Sequence, residues 1–448
     1  MASTKLTRTN GTPTNTKIMT FSVWFKIGTQ TNQQTLISSV EAASGGSYTD
    51  LKIMNAATHR NVFRFECKTT EGNYIDLKFN RSLRDPGAFY NIIIAVDTTQ
   101  ATDTNRVKIY VNGVQETSFA TATYPPQNHN LDFSKSGIIQ QVGAYENTNY
   151  WDGLMSYFAF VDGTAYDQSY FGEVESSSGI WKIKTAPSVT YGNNGFLLKM
   201  DTSSPGTDTS GNSNTFTASG TPTLTQDNAS NNLVTFNPLR PNSISQTYSN
   251  GNNTVIRTGA GGQMNGTQGV TKGKWYYECL IDDYWQYLGW TALSENTSQT
   301  ITCAEATSGF YGLYSNASAV YTYANGSNTP QGSYTTMASG QIWGIAFDAD
   351  NAKMYFSVNG VWENSSDPAN QTNPAMSSIP VTDFLVPAIG QGTNSRSSTI
   401  KINFGNGFFG TTAVASSNAD AAGHGLFEYA VPTGFFTLNT KNLNTYGG

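Results

Sequence analysis

The residues best placed to do chemistry in this 448-residue chain are one short run of acids and two aromatic loops. Glu278 is followed by Asp282 and Asp283, and a retaining glycoside hydrolase needs two carboxylates about 5 Å apart. On a strand the side-chain period is two, so Asp283 falls on the face opposite Glu278. No acid pair is predicted from this run. Asp282, Asp283, Tyr284 and Trp285 still have the composition of a sugar-contacting loop, as do Tyr321, Tyr323 and Asn325. An aromatic ring covers the apolar face of a sugar while a carboxylate or amide takes its hydroxyls. The competing reading places aromatics of such strands in the core. These residues are the candidate ligand contacts.

Other chemistries find little support. His59, His129 and His424 are far apart and lack a local metal or nucleophile pattern. Cys67, Cys279 and Cys303 make an odd count without paired spacing, which gives neither a disulfide framework nor a zinc site. Buried small side chains are expected there. Thr271-Lys272-Gly273-Lys274-Trp275 lacks the upstream Gly and the following Ser/Thr of a phosphate loop. There is no Gly-x-Ser-x-Gly elbow and no His-Glu-x-x-His. Asp348-Ala349-Asp350-Asn351 and Asp208-Thr209-Ser210-Gly211-Asn212 have the oxygen density for calcium. Neither has the spacing of an EF-hand loop, so Asx-stabilised turns are expected and no cofactor is assigned. With no catalytic residue, the expectation is a non-enzymatic protein.

The elements that must position these residues are announced by a repeated phrase. Asn91 to Val96, a turn at Asp97, Arg106 to Val111 and Asn112-Gly113-Val114 form the first copy. Ile342 to Phe347, a turn from Asp348 to Asn351, Lys353 to Val358 and Asn359-Gly360-Val361 form the second. Asn-Gly suits a type I′ hairpin because both central residues need positive φ. Val107, Ile109 and Val111 share one face, as do Met354, Phe356 and Val358. Asp162-Gly163 reads as a further hairpin signal. Short strands at roughly 10-residue spacing predict sandwiches rather than βαβ units. Trp275, Tyr277, Trp290, Trp343 and Phe347 are assigned to the core.

Charged residues are only 12%, while 38% hydrophobic and 12% aromatic content still supplies cores. The net charge of −6 and the lack of a Lys/Arg run exclude nucleic acid and an anionic membrane surface as partners. No apolar leader and no run of 18 apolar residues appears. Synthesis in a reducing cytoplasm is therefore expected, and the sequons Asn265-Gly266-Thr267 and Asn296-Thr297-Ser298 are read as polar loops. From Asp201 to Ser230 the chain is nearly all small and polar, with Phe216 its only aromatic. The expected organisation is a sandwich over 1–200, an extended connector over 201–242 and a second sandwich over 243–448. An apolar tail from Leu426 to Tyr446 closes the second sandwich and should dock.

Asp85-Pro86-Gly87-Ala88-Phe89-Tyr90, with the strands that follow to Asn112-Gly113, resembles a laminin-G-like, concanavalin A-like sandwich. Gly273 to Glu278, Ile342 to Asp348 and the Asn359-Gly360 hairpin resemble a SPRY domain. Three further phrases resemble the connector and close of virion structural proteins from tailed, marine-type bacteriophages. They are Asp208 to Asn214, Asn231 to Leu239 and Val431 to Leu443. The block from Tyr150-Trp151-Asp152-Gly153 to Tyr170-Phe171-Gly172-Glu173 fits the same family, and the Ala/Ser-rich Ala413 to Gly425 departs from it. The resemblance implies an all-β protein of two concanavalin A-like antiparallel sandwiches on the virion surface. Capsid decoration, fibre and tail all remain open. Its partners would be other capsid or tail subunits and copies of itself, a trimer suiting a fibre, with a host surface glycan as a further ligand. A free carbohydrate-binding lectin is the alternative, and a polysaccharide depolymerase the third reading.

Overall fold

The computed structural model describes residues 4–447 except 29–31, 42–46, 57–58, 70–71, 202, 241–244, 260, 295–302, 304–308 and 392–396. The sequon at Asn296 lies outside the described residues. The chain divides into two units, 1–224 with 228–230 and 225–227 with 231–448. Both are all-β, and among the described residues no helix is long and apolar enough to cross a membrane.

In the first unit, an eight-stranded sheet runs Phe119–Thr123, Gly72–Phe79, His59–Thr69, Tyr48–Ala56, Gln34–Val40, Ile139–Val142, Lys5–Thr9 and Thr217–Ser219. A six-stranded sheet runs Phe196–Leu198, Gly153–Asp162, Ile18–Ile27, Tyr90–Asp97, Val107–Val111 and Val114–Glu116. The inward-facing residues of both sheets are mostly apolar, so one core forms between them. Phe21 and Phe65 meet edge-on at 6.1 Å within it. Val107, Ile109 and Val111 are all in this core.

The second unit repeats the plan. Its larger sheet runs Ser245–Ser249, Thr254–Thr258, Ser398–Asn403, Lys274–Ile281, Ile342–Asp348, Lys353–Val358 and Val361–Trp362. The smaller runs Gln263–Asn265, Leu385–Gln391, Gln286–Ala292, Phe310–Ser315, Val320–Ala324 and Ser327–Pro330. Trp290 and Phe347 meet across the core at 4.9 Å. Trp275, Tyr277, Trp290, Trp343 and Phe347 are all buried there. Asn265 lies in a strand at 4% exposure, so its sequon is part of the sheet rather than a polar loop.

The repeated phrase folds the same way twice. Asn112 and Gly113 have φ of 48° and 79°, Asn359 and Gly360 have 49° and 82°, the signature of type I′ turns. Asn112 Oδ1 accepts from the Asn91 amide at 2.8 Å, and Asn359 Oδ1 accepts from the Ile342 amide at 2.9 Å. A Cβ at Gly113 would strike the Trp181 ring, and one at Gly360 the Tyr429 ring. Both turns therefore require glycine for φ and for space. Asp162-Gly163 departs from expectation. The strand Gly153–Asp162 pairs with Ile18–Ile27 and Phe196–Leu198, not with a strand just beyond Gly163. Asp162 instead accepts from the amides of Thr14, Asn15 and Asn194, which ends the strand without turning it back.

Residues expected to form an extended connector are shared between the units. Phe216 is buried in the first core, and Thr217–Ser219 pairs with Lys5–Thr9. Val234 and Phe236 are in the second core. The apolar tail docks within the second unit. Phe427 and Phe435 cover Tyr276 and Tyr355 on the outer face of the larger sheet, and Phe436–Thr437 adds a parallel strand to Lys274–Ile281. A short helix, Thr440–Tyr446, follows, capped by Asn439, and Tyr446 stacks on Phe436 at 3.7 Å. The Val234 amide donates to Leu438 and the Thr440 amide to Asn232, so the phrases at 231–239 and 431–443 are held together.

Candidate functional site

Asp282 to Trp285 link two strands that belong to different sheets, Lys274–Ile281 and Gln286–Ala292. The loop therefore sits at one end of the second sandwich. Asp282 is exposed, and its Oδ2 accepts from the Thr399 amide at 2.6 Å. Asp283 is buried, with Oδ1 accepting from the Tyr284 amide. Tyr284 packs half-buried against the core. Trp285 turns to the outer face of the smaller sheet, 6.1 Å from the Tyr314 ring.

That outer face carries an aromatic cluster. Tyr287, Tyr314 and Tyr321 are direct partners across three neighbouring strands. Side chains opposite one another lie on one face within reach of contact. Tyr287 stacks on Tyr314 at 4.3 Å and 22°, and Tyr323 meets both edge-on at 5.1 and 5.7 Å. Phe310 and Cys303 are buried in the same cluster. Trp285, Tyr321 and Tyr323 are half-buried and so keep ring surface at solvent. Burial pushes the Tyr287 hydroxyl far up, so this face stays uncharged at neutral pH.

Asn325 serves the turn behind this face. It has φ of 46°, and its Oδ1 accepts from the Gly309 amide at 3.0 Å. The two aromatic groups that the sequence separates are thus brought together, while Asp283 and Asn325 are committed to backbone. Tyr287 and Tyr314 were not anticipated. The signal was alternation: Leu288 and Trp290 point inward, so Tyr287, one residue before Leu288, must point out.

The acids are occupied by protein donors. Glu278 is buried under the C-terminal segment, where the Glu428 and Tyr429 amides and Asn403 donate to it. Burial pushes its carboxyl up to about 7 against those bonds. A further acidic row runs across strands rather than along one. Asp50, Glu66 and Asp76 are direct partners across three strands of the first unit. Lys52 bonds Asp50 at 3.1 Å and also Glu66, and Arg64 bonds Glu66 at 2.8 Å and Asp76 at 2.7 Å. Cations interleave the row, which makes it an ion-pair lattice rather than an acid and nucleophile facing a cleft.

The two oxygen-rich turns are Asx turns. Asp348 accepts from Asn351, and Lys274 pairs with it. Asp208 accepts from Leu197, Ser210 and Asn214. Among the described residues no three His, Cys, Asp or Glu side chains gather to hold a metal. His129 stacks on Tyr74 at 4.0 Å and His424 lies in a half-exposed loop, while the His59 side chain lies outside the described residues. All three cysteines are buried and none is in a disulfide, and burial pushes the Cys67 thiol up to about 11.

Residues 2–169 match the Laminin_G_3 family model, described as the concanavalin A-like lectin/glucanases superfamily. No curated protein matches the chain. Among solved structures, the SPRY domain of human HERC1 is 16% identical with a TM-score of 0.29, over 37% of this chain and 96% of that one. The TRIM65 PSpry domain is 16% identical with a TM-score of 0.27, over 38% and 91%. Stonustoxin is 16% identical with a TM-score of 0.28, over 38% and 27%.

Proposed function

We propose that the chain is a non-catalytic carbohydrate-binding adhesion protein carried on the exterior of a tailed-phage particle. The tyrosine row of the second unit, with Trp285 beside it, is its sugar-contacting face. The observation that carries this reading is the gathering of Trp285, Tyr321 and Tyr323 around the stacked Tyr287 and Tyr314 on one outer sheet face. Rings held by their neighbours lose little entropy on binding, and their uncharged faces suit the C–H surface of a pyranose. A concanavalin A-like match over residues 2–169 is in keeping with a lectin. The non-catalytic part rests on Glu278 and Asp282, whose carboxylates are spent on backbone amides.

The particle setting rests on the phrases at Asp208 to Asn214, Asn231 to Leu239 and Val431 to Leu443. Its partners would be neighbouring virion subunits and further copies of this chain. A surface low in charge and rich in hydroxyls and amides makes such contacts without burying unpaired charge.

Two measurements test this. Binding of the full chain to an array of bacterial envelope polysaccharides should weaken about tenfold or more in Trp285→Ala and in Tyr321→Ala, with melting unchanged. Equal binding by all three proteins puts the sugar elsewhere. Mass spectrometry of gradient-purified particles should find the chain among the abundant components. Its confinement to the soluble lysate would make it a free lectin using the same face.

A further inference from the structure

Five polar side chains stand at one end of the second unit, three on the larger sheet and two on the smaller. Gln246, Arg257 and Ser398 are direct partners across three neighbouring strands of the larger sheet. Gln286 and Gln391 are direct partners in the smaller one. Gln286 and Ser398 open their strands, Gln391 closes its own, and Gln246 and Arg257 each stand one residue from an end. Arg257 joins the two sheets, since its Nη2 donates to Gln286 Oε1 at 2.7 Å and to Ser398 Oγ at 2.8 Å. Arg257, Gln286 and Gln391 are wholly buried, at 0% exposure.

What these side chains leave unmatched is one-sided. Among the described residues, Arg257 Nε and Nη1, Gln246 Nε2, Gln286 Nε2 and Gln391 Nε2 have no protein partner, against a single unmatched acceptor among these side chains, Gln391 Oε1. Both hydrogen bonds of the guanidinium go to neutral groups, and among the described residues no carboxylate bonds to it. Asp282, whose charge reaches Arg257, gives Oδ2 to the Thr399 amide. An arginine keeps its charge even when buried, and an uncompensated buried charge is costly. Neutral guests would supply acceptors but no counter-charge.

We propose that this end of the second sandwich binds a small oxyanion, a carboxylate, sulfate or phosphate group, with Arg257 as its counter-charge and Gln391 and Gln286 as further donors. Each of these groups offers several acceptor oxygens around one negative centre, which is what the unmatched N–H groups require. The site is separate from the tyrosine row, and either can fail without the other.

The test uses the full chain, melted at neutral pH in acetate, sulfate or phosphate against chloride at equal ionic strength. At least one oxyanion should raise the melting of the second unit by several degrees over chloride. The increment should vanish in Arg257→Met. Sulfate and phosphate also stabilise proteins by exclusion from their surfaces, but that part survives the substitution and is subtracted with it. Should Arg257→Met fail to fold, Gln391→Leu keeps the cation, removes a donor and should at least halve the increment. Crystals soaked in selenate should show anomalous selenium density within hydrogen-bond distance of Arg257. Equal increments in wild type and the folded variant for every anion, or no selenium at Arg257, would overturn the proposal and leave the unmatched donors to water.

Discussion

Glu278 shows how one buried acid couples the second unit to pH. Its carboxyl sits at about 7 because burial disfavours the charge, whereas the unfolded chain ionises at about 4.3. Between those values the unfolded state has already lost the proton that the folded state keeps. Stability therefore falls as pH rises through that window, by at most about 3.5 kcal/mol. Urea unfolding at pH 5 and pH 7.5 should show this loss in wild type and a much smaller one in Glu278→Gln. Equal pH dependence in the two proteins would clear Glu278 of the role. Lys52 presents the opposite case, a buried cation between two acids, Asp50 and Glu66. Burial works against its charge, and the two acids more than offset this, so its pKa is raised. Lys52→Met takes the cation from Asp50 and leaves Glu66 with Arg64 alone, and should cost about 3–5 kcal/mol in the first unit. A loss below about 1 kcal/mol would mean that Arg64 and water compensate.

At the scale of elements, the duplicated hairpin makes a paired prediction. Asn112 and Asn359 each hold positive φ and each accept one backbone N–H. Replacing either by Ala loses a hydrogen bond worth about 1 kcal/mol and adds about 1 kcal/mol of left-handed strain. Asn112→Ala should lower only the first unit's transition, and Asn359→Ala only the second's, by similar amounts. Unequal costs would show that the Trp181 and Tyr429 rings over the two turns do not support them alike. The aromatic face obeys the same logic of pairing, since Tyr287, Tyr314 and Tyr321 meet only because their strands are neighbours in register.

For the whole molecule, the two cores predict where the chain can be cut. Fragments 1–224 and 225–448 should each unfold in one cooperative transition with β-type circular dichroism. Fragments 1–200 and 240–448 lose Phe216 from the first core and Val234 and Phe236 from the second. A large buried aromatic is worth about 3–5 kcal/mol, so both shorter pieces should melt well below the longer ones. Equal melting would mean that the polar segment is dispensable after all.

Much of this protein is local and was therefore legible in its residues. Alternation marked Val107 to Val111 and Met354 to Val358 as half-buried strands, and Asn-Gly marked both hairpins, because period and turn chemistry depend only on near neighbours. The buried tryptophans and cysteines followed from their types and settings. What depends on strand order was not legible. Trp285 and Tyr321 share a face only because Phe310–Ser315 lies between their strands. Glu278 is covered only because a tail 150 residues further on returns to it. Asp50, Glu66 and Asp76 form a row, and Arg257 meets Gln286, only once sheets are assembled. Period and turn type fix which face a side chain takes. Which distant residue shares that face is set by sheet register and docking, and those belong to the assembled sandwich alone.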